Sequence, residues 1–203
     1  MHKKWIAIIP PYIAVWAGLF LFHSAWGAML GFHAAIIFAL FWLRPNLPPA
    51  VLFKPAPWRS IAGNLILGST GGLGLYVLWD FLGMQAGLSN TIHTLGLGGV
   101  SWFWFMAYFS LVNPIIEEYF WRGELGHETS SFYIGDLTYA GYHVFVFLGK
   151  TQLYTVILAV ASLIFIGWFW RQVYRRDGSL LAPILGHMAA DLSIMLAVYF
   201  KVT

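Results

Sequence analysis

Residues 152–170 read QLYTVILAVASLIFIGWFW, a run without one charged side chain. A helix needs about 20 such residues to cross the hydrocarbon core of a bilayer. Comparable runs fill most of the chain, because 60% of its 203 residues are hydrophobic and only 9% are charged, whereas an ordinary soluble domain is about one quarter charged. The sequence therefore predicts an all-α, polytopic transmembrane helical bundle that forms a single integral membrane domain over residues 1–203.

Seven apolar segments predict about seven membrane helices. They are residues 5–22, 24–43, 60–82, 99–120, 132–149, 152–170 and 179–200. Pro10 and Pro11 should kink or delay the first helix, and a cluster of prolines marks residues 44–59 as a loop. The uncharged, Gly-rich stretch 83–98 is compatible with an exposed loop or with a partly inserted segment. Glycines between residues 68 and 74 are typical of close helix packing.

The basic residues are divided unequally between the two ends of the predicted helices. If the segments alternate, one side receives Lys3, Lys4, Arg44, Lys54, Arg59, Arg122, Arg171, Arg175 and Arg176, and the other receives only Lys150 and Lys201. The positive-inside bias makes the first side cytoplasmic, with the N-terminus inside and the plasma membrane as the expected location. This placement also argues against nucleic-acid binding, despite the net charge of +3. A re-entrant fifth segment, which is short and has Asp136 near its start, would invert the last two helices.

The chain has no cysteine, which excludes disulfides, thiolate metal sites and a cysteine nucleophile. Lys3 and Lys4 precede the first apolar run as in a signal peptide, but six further runs follow, which favours a retained first helix. Ionisable side chains inside membrane helices are costly and are therefore candidates for function.

Two adjacent carboxylates end the fourth segment, in the run NPIIEEYFWR at residues 113–122. Neighbours on a helix point about 100° apart, so Glu117 and Glu118 cannot share one role. Glu118 and Arg122 are spaced i, i+4 and can form an ion pair, which leaves Glu117 free, with Asn113 one turn earlier as a supporting residue. The alternative is an interfacial cluster in which Glu118 and Arg122 mark the helix end and Glu117 reaches water.

Three further ionisable residues lie at a similar predicted depth. His143 is in the middle of the fifth segment, and His187 and Asp191 form a second i, i+4 pair in the seventh. Measured at about 1.5 Å per residue, Glu117, His143 and His187 all fall in the cytoplasmic half of the bilayer. We expect them to converge within about 5 Å around a water-sized space if the protein is a hydrolase. Spacing alone leaves a structural role equally open.

These residues resemble the three motifs of the CAAX prenyl endopeptidases and bacteriocin-processing or self-immunity proteins, also called the ABI or CPBP family. Glu117, Glu118 and Arg122 match EExxxR, and His143 ends a match to FxxxH in which Tyr139 replaces the Phe. His187 and Asp191 match HxxxN or HxxxD. The resemblance in order and spacing covers about residues 99–201, the expected catalytic core, and the first half resembles the family only in being hydrophobic.

The resemblance implies a glutamate-type intramembrane endopeptidase. Glu117 would be the general base that activates water, His143 would help to hold that water, and His187 would support the oxyanion. Glu118 and Arg122 would brace the site. An ionised Asp191 would repel an oxyanion where Asn could donate a hydrogen bond. Asp191 therefore either stays protonated or orients His187, and we expect the second.

The resemblance implies a membrane-associated or lipid-modified protein or peptide as substrate, cut near the cytoplasmic face without a metal or other cofactor. His127 and Glu128 begin like a zinc-protease HExxH, but Ser131 stands where the second His belongs, so we interpret this run as a polar loop. His33 is interpreted as a packing residue. Three other functions remain open: a non-catalytic immunity or scaffold protein, a zinc metalloprotease, and a proton-coupled transporter.

Overall fold

The computed structural model describes residues 2–44 and 46–203, and within these residues 76% of the chain is helical and no strand is formed. In chain order the helices are α1 (His2–Ile6), α2 (Ile9–Trp16), a π-helix (Ala17–Leu21), α3 (Ala25–Leu43), a 3-10 turn (Pro49–Leu52), α4 (Trp58–Val77), α5 (Leu88–Thr94), α6 (Val100–Leu111), α7 (Asn113–Glu117), a second π-helix (Glu118–Glu124), α8 (Ile134–Gly141), α9 (His143–Phe147), α10 (Leu153–Asp177) and α11 (Leu181–Val202).

Within the described residues, four helical stretches are long and apolar enough to cross a membrane: Lys3–Leu21, which runs through α1, α2 and the first π-helix, Ala25–Leu43, Leu153–Asp177 and Leu181–Val202. They confirm that the protein is an all-helical membrane protein. The count of seven membrane helices is not confirmed. The predicted fourth segment is broken at Val112, because Pro114 has no backbone N–H with which to continue the α-helical ladder. The predicted fifth segment consists of α8 and α9, of 8 and 5 residues.

The first helical hairpin, formed by α2 and α3, follows local signals in the sequence. Helix α1 stops at Ile6, and α2 restarts at Ile9 with Pro10 and Pro11 in its first turn, where a missing N–H costs nothing. Ser24 caps α3, since its hydroxyl accepts a hydrogen bond from the Gly27 N–H at 2.9 Å. The turn before it is tight, with His23 at a φ of 46°.

The Gly-rich stretch 83–98 packs against the bundle. Its helix α5 buries Leu88 and Ile92 in a cluster with Trp102 and Phe105 of α6. The Leu95 carbonyl also accepts a hydrogen bond from the Ala25 N–H at the start of α3, at 2.9 Å. The stretch is therefore not simply an exposed loop.

Glycines bring α4 and α11 into backbone contact. A Cβ at Gly68 would lie 2.1 Å from the Gly186 carbonyl oxygen, and one at Gly72 would lie 2.2 Å from the Ser193 backbone. Gly74, on the same helix, has no neighbouring atom within 4 Å of such a Cβ. Because α11 carries His187 and Asp191, the contacts at Gly68 and Gly72 set the position of those two side chains.

Charged side chains join the helix ends at one end of the bundle. Lys4 lies 3.0 Å from Glu124 at the end of the second π-helix. Arg171 of α10 forms a 2.7 Å ion pair with Asp136 at the start of α8. At the other end the Lys150 carbonyl accepts a hydrogen bond from the Gln85 N–H at 3.1 Å. Lys4 and Arg171 thus share one end of the bundle and Lys150 lies at the other.

Candidate active site

The two carboxylates of the EExxxR run are carried by an irregular helix. Helix α7 ends at Glu117, and the chain continues from Glu118 to Glu124 as a π-helix, a form that is rare and often found at functional sites. Glu117 and Glu118 are both 0% exposed and Arg122 is 2% exposed. This burial does not agree with an interfacial cluster in which Glu117 reaches water.

Both oxygens of Glu117 have hydrogen-bond partners. Oε1 accepts from the Tyr142 hydroxyl at 2.5 Å and from the Trp121 indole N–H at 3.2 Å. Oε2 accepts from the Asn113 side-chain amide at 3.2 Å and lies 3.5 Å from Nε2 of His187. Oε1 therefore has two donors, whereas Oε2 has one close donor and room in its lone pairs for another.

His187 lies between the carboxylates. Its Nδ1 is 2.9 Å from Oε1 of Glu118, and since a carboxylate oxygen only accepts, this nitrogen carries a proton. Its Nε2 is 3.5 Å from both Glu117 and Asp191. The imidazole stacks on Trp170 of α10, with ring centroids 4.6 Å apart. His187 thus contacts both acids of the EExxxR run at once.

Asp191 is held by Asn113 as well as by its position near His187. The Asn113 amide donates at 3.2 Å to Oδ2 of Asp191 and at 3.2 Å to Glu117. We expected Asp191 to orient His187. In the structure Glu118 binds the Nδ1 of that ring, and Asp191 approaches only the Nε2 side at 3.5 Å. Asp191 lies one turn after His187 on α11, and from there it approaches the same nitrogen, Nε2, as Glu117 does.

Arg122 is paired with Glu118, as the i, i+4 spacing predicts, at a distance of 3.4 Å between Nε and Oε2. Its guanidinium lies 3.6 Å above the Tyr139 ring and 5.3 Å from the Trp170 ring, which compensates its charge further. Gly167 lets α10 approach this stack, since a Cβ there would lie 2.9 Å from Tyr139. The replacement of Phe by Tyr in the second motif therefore keeps a ring for Arg122 to lie on.

His143 joins the cluster through two tyrosines. Its Nδ1 is 3.3 Å from the Tyr139 carbonyl, so that nitrogen carries the proton and Nε2 keeps a lone pair. Its ring stacks on Tyr142 at 4.0 Å. The Tyr139 ring stands edge-on to His143 at 5.5 Å and to His187 at 6.3 Å. The structure thus brings Glu117 and His187 into direct contact and connects His143 to Glu117 through Tyr142.

Sequence reasoning missed two polar partners of the cluster. His33 of α3, interpreted as a packing residue, lies 3.0 Å from the Asn113 side-chain oxygen and 3.0 Å from the Tyr108 hydroxyl. Tyr142, which donates to Glu117, was not singled out at all. The available signal for His33 was an ionisable residue in the middle of an apolar helix. The available signal for Tyr142 was its place beside His143.

The run 127–131 is a polar loop, as interpreted. Its carbonyls at His127 and Thr129 accept hydrogen bonds from the Arg171 guanidinium at 2.9 and 2.6 Å. Among residues 2–44 and 46–203, no three His, Asp or Glu side chains are arranged so that they could hold a metal ion. Metal-independence itself stays a prediction.

The second half of the chain is similar to a known protein family. Residues 99–193 match a family model described as Type II CAAX prenyl endopeptidase Rce1-like. The matched range contains all three motifs and every predicted site residue, so the resemblance to the CAAX prenyl endopeptidases is confirmed. A search of curated proteins and a search of solved structures gave no match.

Proposed function

We propose that this chain, whose residues 99–193 match the Rce1-like family of type II CAAX prenyl endopeptidases, is an intramembrane endopeptidase that uses Glu117 to activate water. The observation that carries the proposal is the contact between two buried carboxylates and one imidazole, in which His187 reaches Glu118 at 2.9 Å and Glu117 at 3.5 Å. Such a charged cluster inside an apolar bundle is costly to maintain. Catalysis is a reason to maintain it.

In the proposed reaction, Glu117 takes a proton from water while the water oxygen attacks the carbonyl carbon of the scissile peptide bond. Oε2 is the suitable oxygen, because only Asn113 binds it closely. The Nε2 of His143 accepts a second hydrogen bond from the same water, since its Nδ1 is bound to the Tyr139 carbonyl. The C–N bond then breaks as Glu117 returns the proton to the leaving amine, which gives a carboxylic acid and an amine as products.

His187 is the donor proposed for the developing oxyanion. A donor aimed at such an oxygen in a dry site contributes on the order of 3 kcal/mol. Both ring nitrogens face carboxylate oxygens, so the ring acts as an imidazolium: Nδ1–H donates to Glu118, and Nε2–H is the donor that can turn toward substrate. Arg122 pairs with Glu118, and Trp170 stacks on the imidazole ring. The Asn113 amide donates to both Glu117 and Asp191 and so bridges the two acids.

The proposed substrate is a protein or peptide that is itself membrane-bound or lipid-modified. The carboxylates lie inside the bundle and exposed apolar side chains surround it, which supports a route for substrate through the bilayer. The proposed location is the plasma membrane, with the N-terminus inside and cleavage near the cytoplasmic face.

The test is hydrolysis by purified protein in nanodiscs of a farnesylated peptide ending in a CAAX motif, with the unprenylated peptide beside it and products identified by mass spectrometry. Glu117→Gln should lower the rate by about 100-fold or more, because general-base catalysis contributes that much. The matched control is Glu124→Gln, an acid of the adjacent π-helix that pairs with Lys4 away from the site.

The same preparations distinguish the proposed endopeptidase from a non-catalytic scaffold and from a zinc metalloprotease. His143→Ala and His187→Ala should also abolish cleavage while the protein stays folded in the membrane. If all three variants retain full biological activity, the protein is a non-catalytic scaffold. If exhaustive chelation stops cleavage and stoichiometric zinc restores it, the protein is a metalloprotease.

A further inference from the structure

Tyr142 is the residue that contacts the proposed base most closely. Its hydroxyl donates to Oε1 of Glu117 at 2.5 Å, the shortest of the polar contacts that Glu117 makes among the described residues. It lies between α8 and α9, one position before His143. The side chain that binds the base is therefore covalently adjacent to the histidine proposed to share the water.

The Tyr142 ring is held on several sides by other aromatic rings. His143 stacks on it at 4.0 Å, Phe32 lies at 4.8 Å and Trp121 lies nearly parallel to it at 6.3 Å. Tyr12 of α2 meets it edge-on at 6.1 Å. A ring confined in this way cannot swing its hydroxyl away from Glu117 without displacing its neighbours.

We propose that Tyr142 is a positioning residue of the hydrolytic site, whose hydroxyl occupies Oε1 of Glu117 and so turns Oε2 toward the water. The inference rests on the proposed function of Glu117 as the base. A carboxylate that accepts two hydrogen bonds on one oxygen has a defined orientation, and its other oxygen becomes the basic position. The same hydrogen bond stabilises the ionised form of the carboxylate, which keeps it ready to accept a proton.

The test removes only the hydroxyl. In Tyr142→Phe the ring and its stacking remain, but Glu117 loses a donor, so its protonated form becomes more favourable. Infrared titration of the purified protein in nanodiscs should show this, since the carboxylic-acid band of Glu117 is identified as the band that Glu117→Gln removes. We expect its midpoint to move to higher pH by about 1 to 2 units, the equivalent of one hydrogen bond to a charged group.

Other titratable groups surround Glu117, so the shift needs a matched control. They are His187 and Asp191 of α11, Glu118 and Arg122 of the π-helix, Tyr139 and His143 of α8 and α9, and, behind Asn113, His33 of α3. Tyr12→Phe is the control, because the Tyr12 hydroxyl donates to the Thr138 carbonyl and its ring touches Tyr142. It should leave the midpoint unchanged.

A second variant keeps the inference testable if Tyr142→Phe does not fold. Incorporating 3-fluorotyrosine at position 142 strengthens the donor with little change in packing, and it should move the midpoint to lower pH. An unchanged midpoint in either folded variant would overturn the inference. Full cleavage by Glu117→Gln would overturn the proposed function. The infrared band of Glu117 does not depend on substrate, so the hydrogen bond from Tyr142 would still be measurable in that case.

Discussion

Glu118 and Arg122 share a site in which neither side chain reaches water, and each is the other's charge partner at 3.4 Å. Removing Glu118 leaves the Arg122 charge without a carboxylate, and removing Arg122 leaves Glu118 with His187 alone, at a cost of up to about 3 to 5 kcal/mol. We therefore predict that Glu118→Ala and Arg122→Ala each lower both stability and activity. In Glu118→Ala the Nδ1 of His187 also loses its acceptor.

Thermal unfolding and cleavage rate measured on the same preparations check this prediction. Arg176→Ala is the control, since that arginine is exposed and pairs with Asp177 at the bundle end. Normal stability in both buried variants would show that the pair is not needed for folding.

Side-chain pairs that lie on one helix are predictable from their spacing in the sequence. The i, i+4 spacing of Glu118 and Arg122 is enough to predict their contact, and Asn113 was correctly placed one turn before Glu117. Contacts between residues on different helices could not be predicted from sequence spacing. His33 and Asn113 are separated by 80 residues, and only the packing of α3 against α7 brings them to 3.0 Å.

The close contact between helices α4 and α11 depends on two glycines, Gly68 and Gly72. Replacing glycine by alanine in a helix is ordinarily stabilising by about 0.5 to 1 kcal/mol. At Gly68 the added methyl would meet the Gly186 carbonyl at 2.1 Å, so α11 must move. We predict that Gly68→Ala lowers stability by about 1 to 3 kcal/mol and lowers activity, because α11 carries His187.

Gly74→Ala is the matched variant, since the same helix has no atom within 4 Å of a Cβ there. It should leave stability equal or higher in the same thermal-unfolding measurement. Equal effects at the two positions would mean that the helices do not depend on this contact.

The helix breaks were harder to predict than the helix contacts. Pro114 is a residue that interrupts an α-helix. Nothing in the run Glu118–Glu124 distinguishes a π-helix from an α-helix. Trp121 and Arg122 of this run pack on Tyr139 of α8, and Arg122 also lies near Trp170 of α10, so the run makes its contacts with other helices. Local propensity does not contain this information.

For the whole molecule, the question is which end of the bundle faces the cytoplasm. Lys4, Arg171 and Arg175 belong to one end, where Lys4 contacts Glu124 and Arg175 donates to the Glu128 carbonyl at 2.9 Å. The positive-inside bias predicts that this end is the cytoplasmic one. We predict that Lys3, Arg59 and Arg175 are all cytoplasmic and that Lys201 lies outside.

The absence of cysteine makes this prediction directly measurable. Lys3→Cys, Arg59→Cys and Arg175→Cys, each introduced singly, should react with a membrane-impermeant maleimide only after the membrane is opened. Lys201→Cys should react in intact cells, because Lys201 is exposed at the other end of α11. Labelling of Arg175→Cys from outside would show that the chain does not alternate through seven spans, and it would move the proposed cleavage site away from the cytoplasmic face.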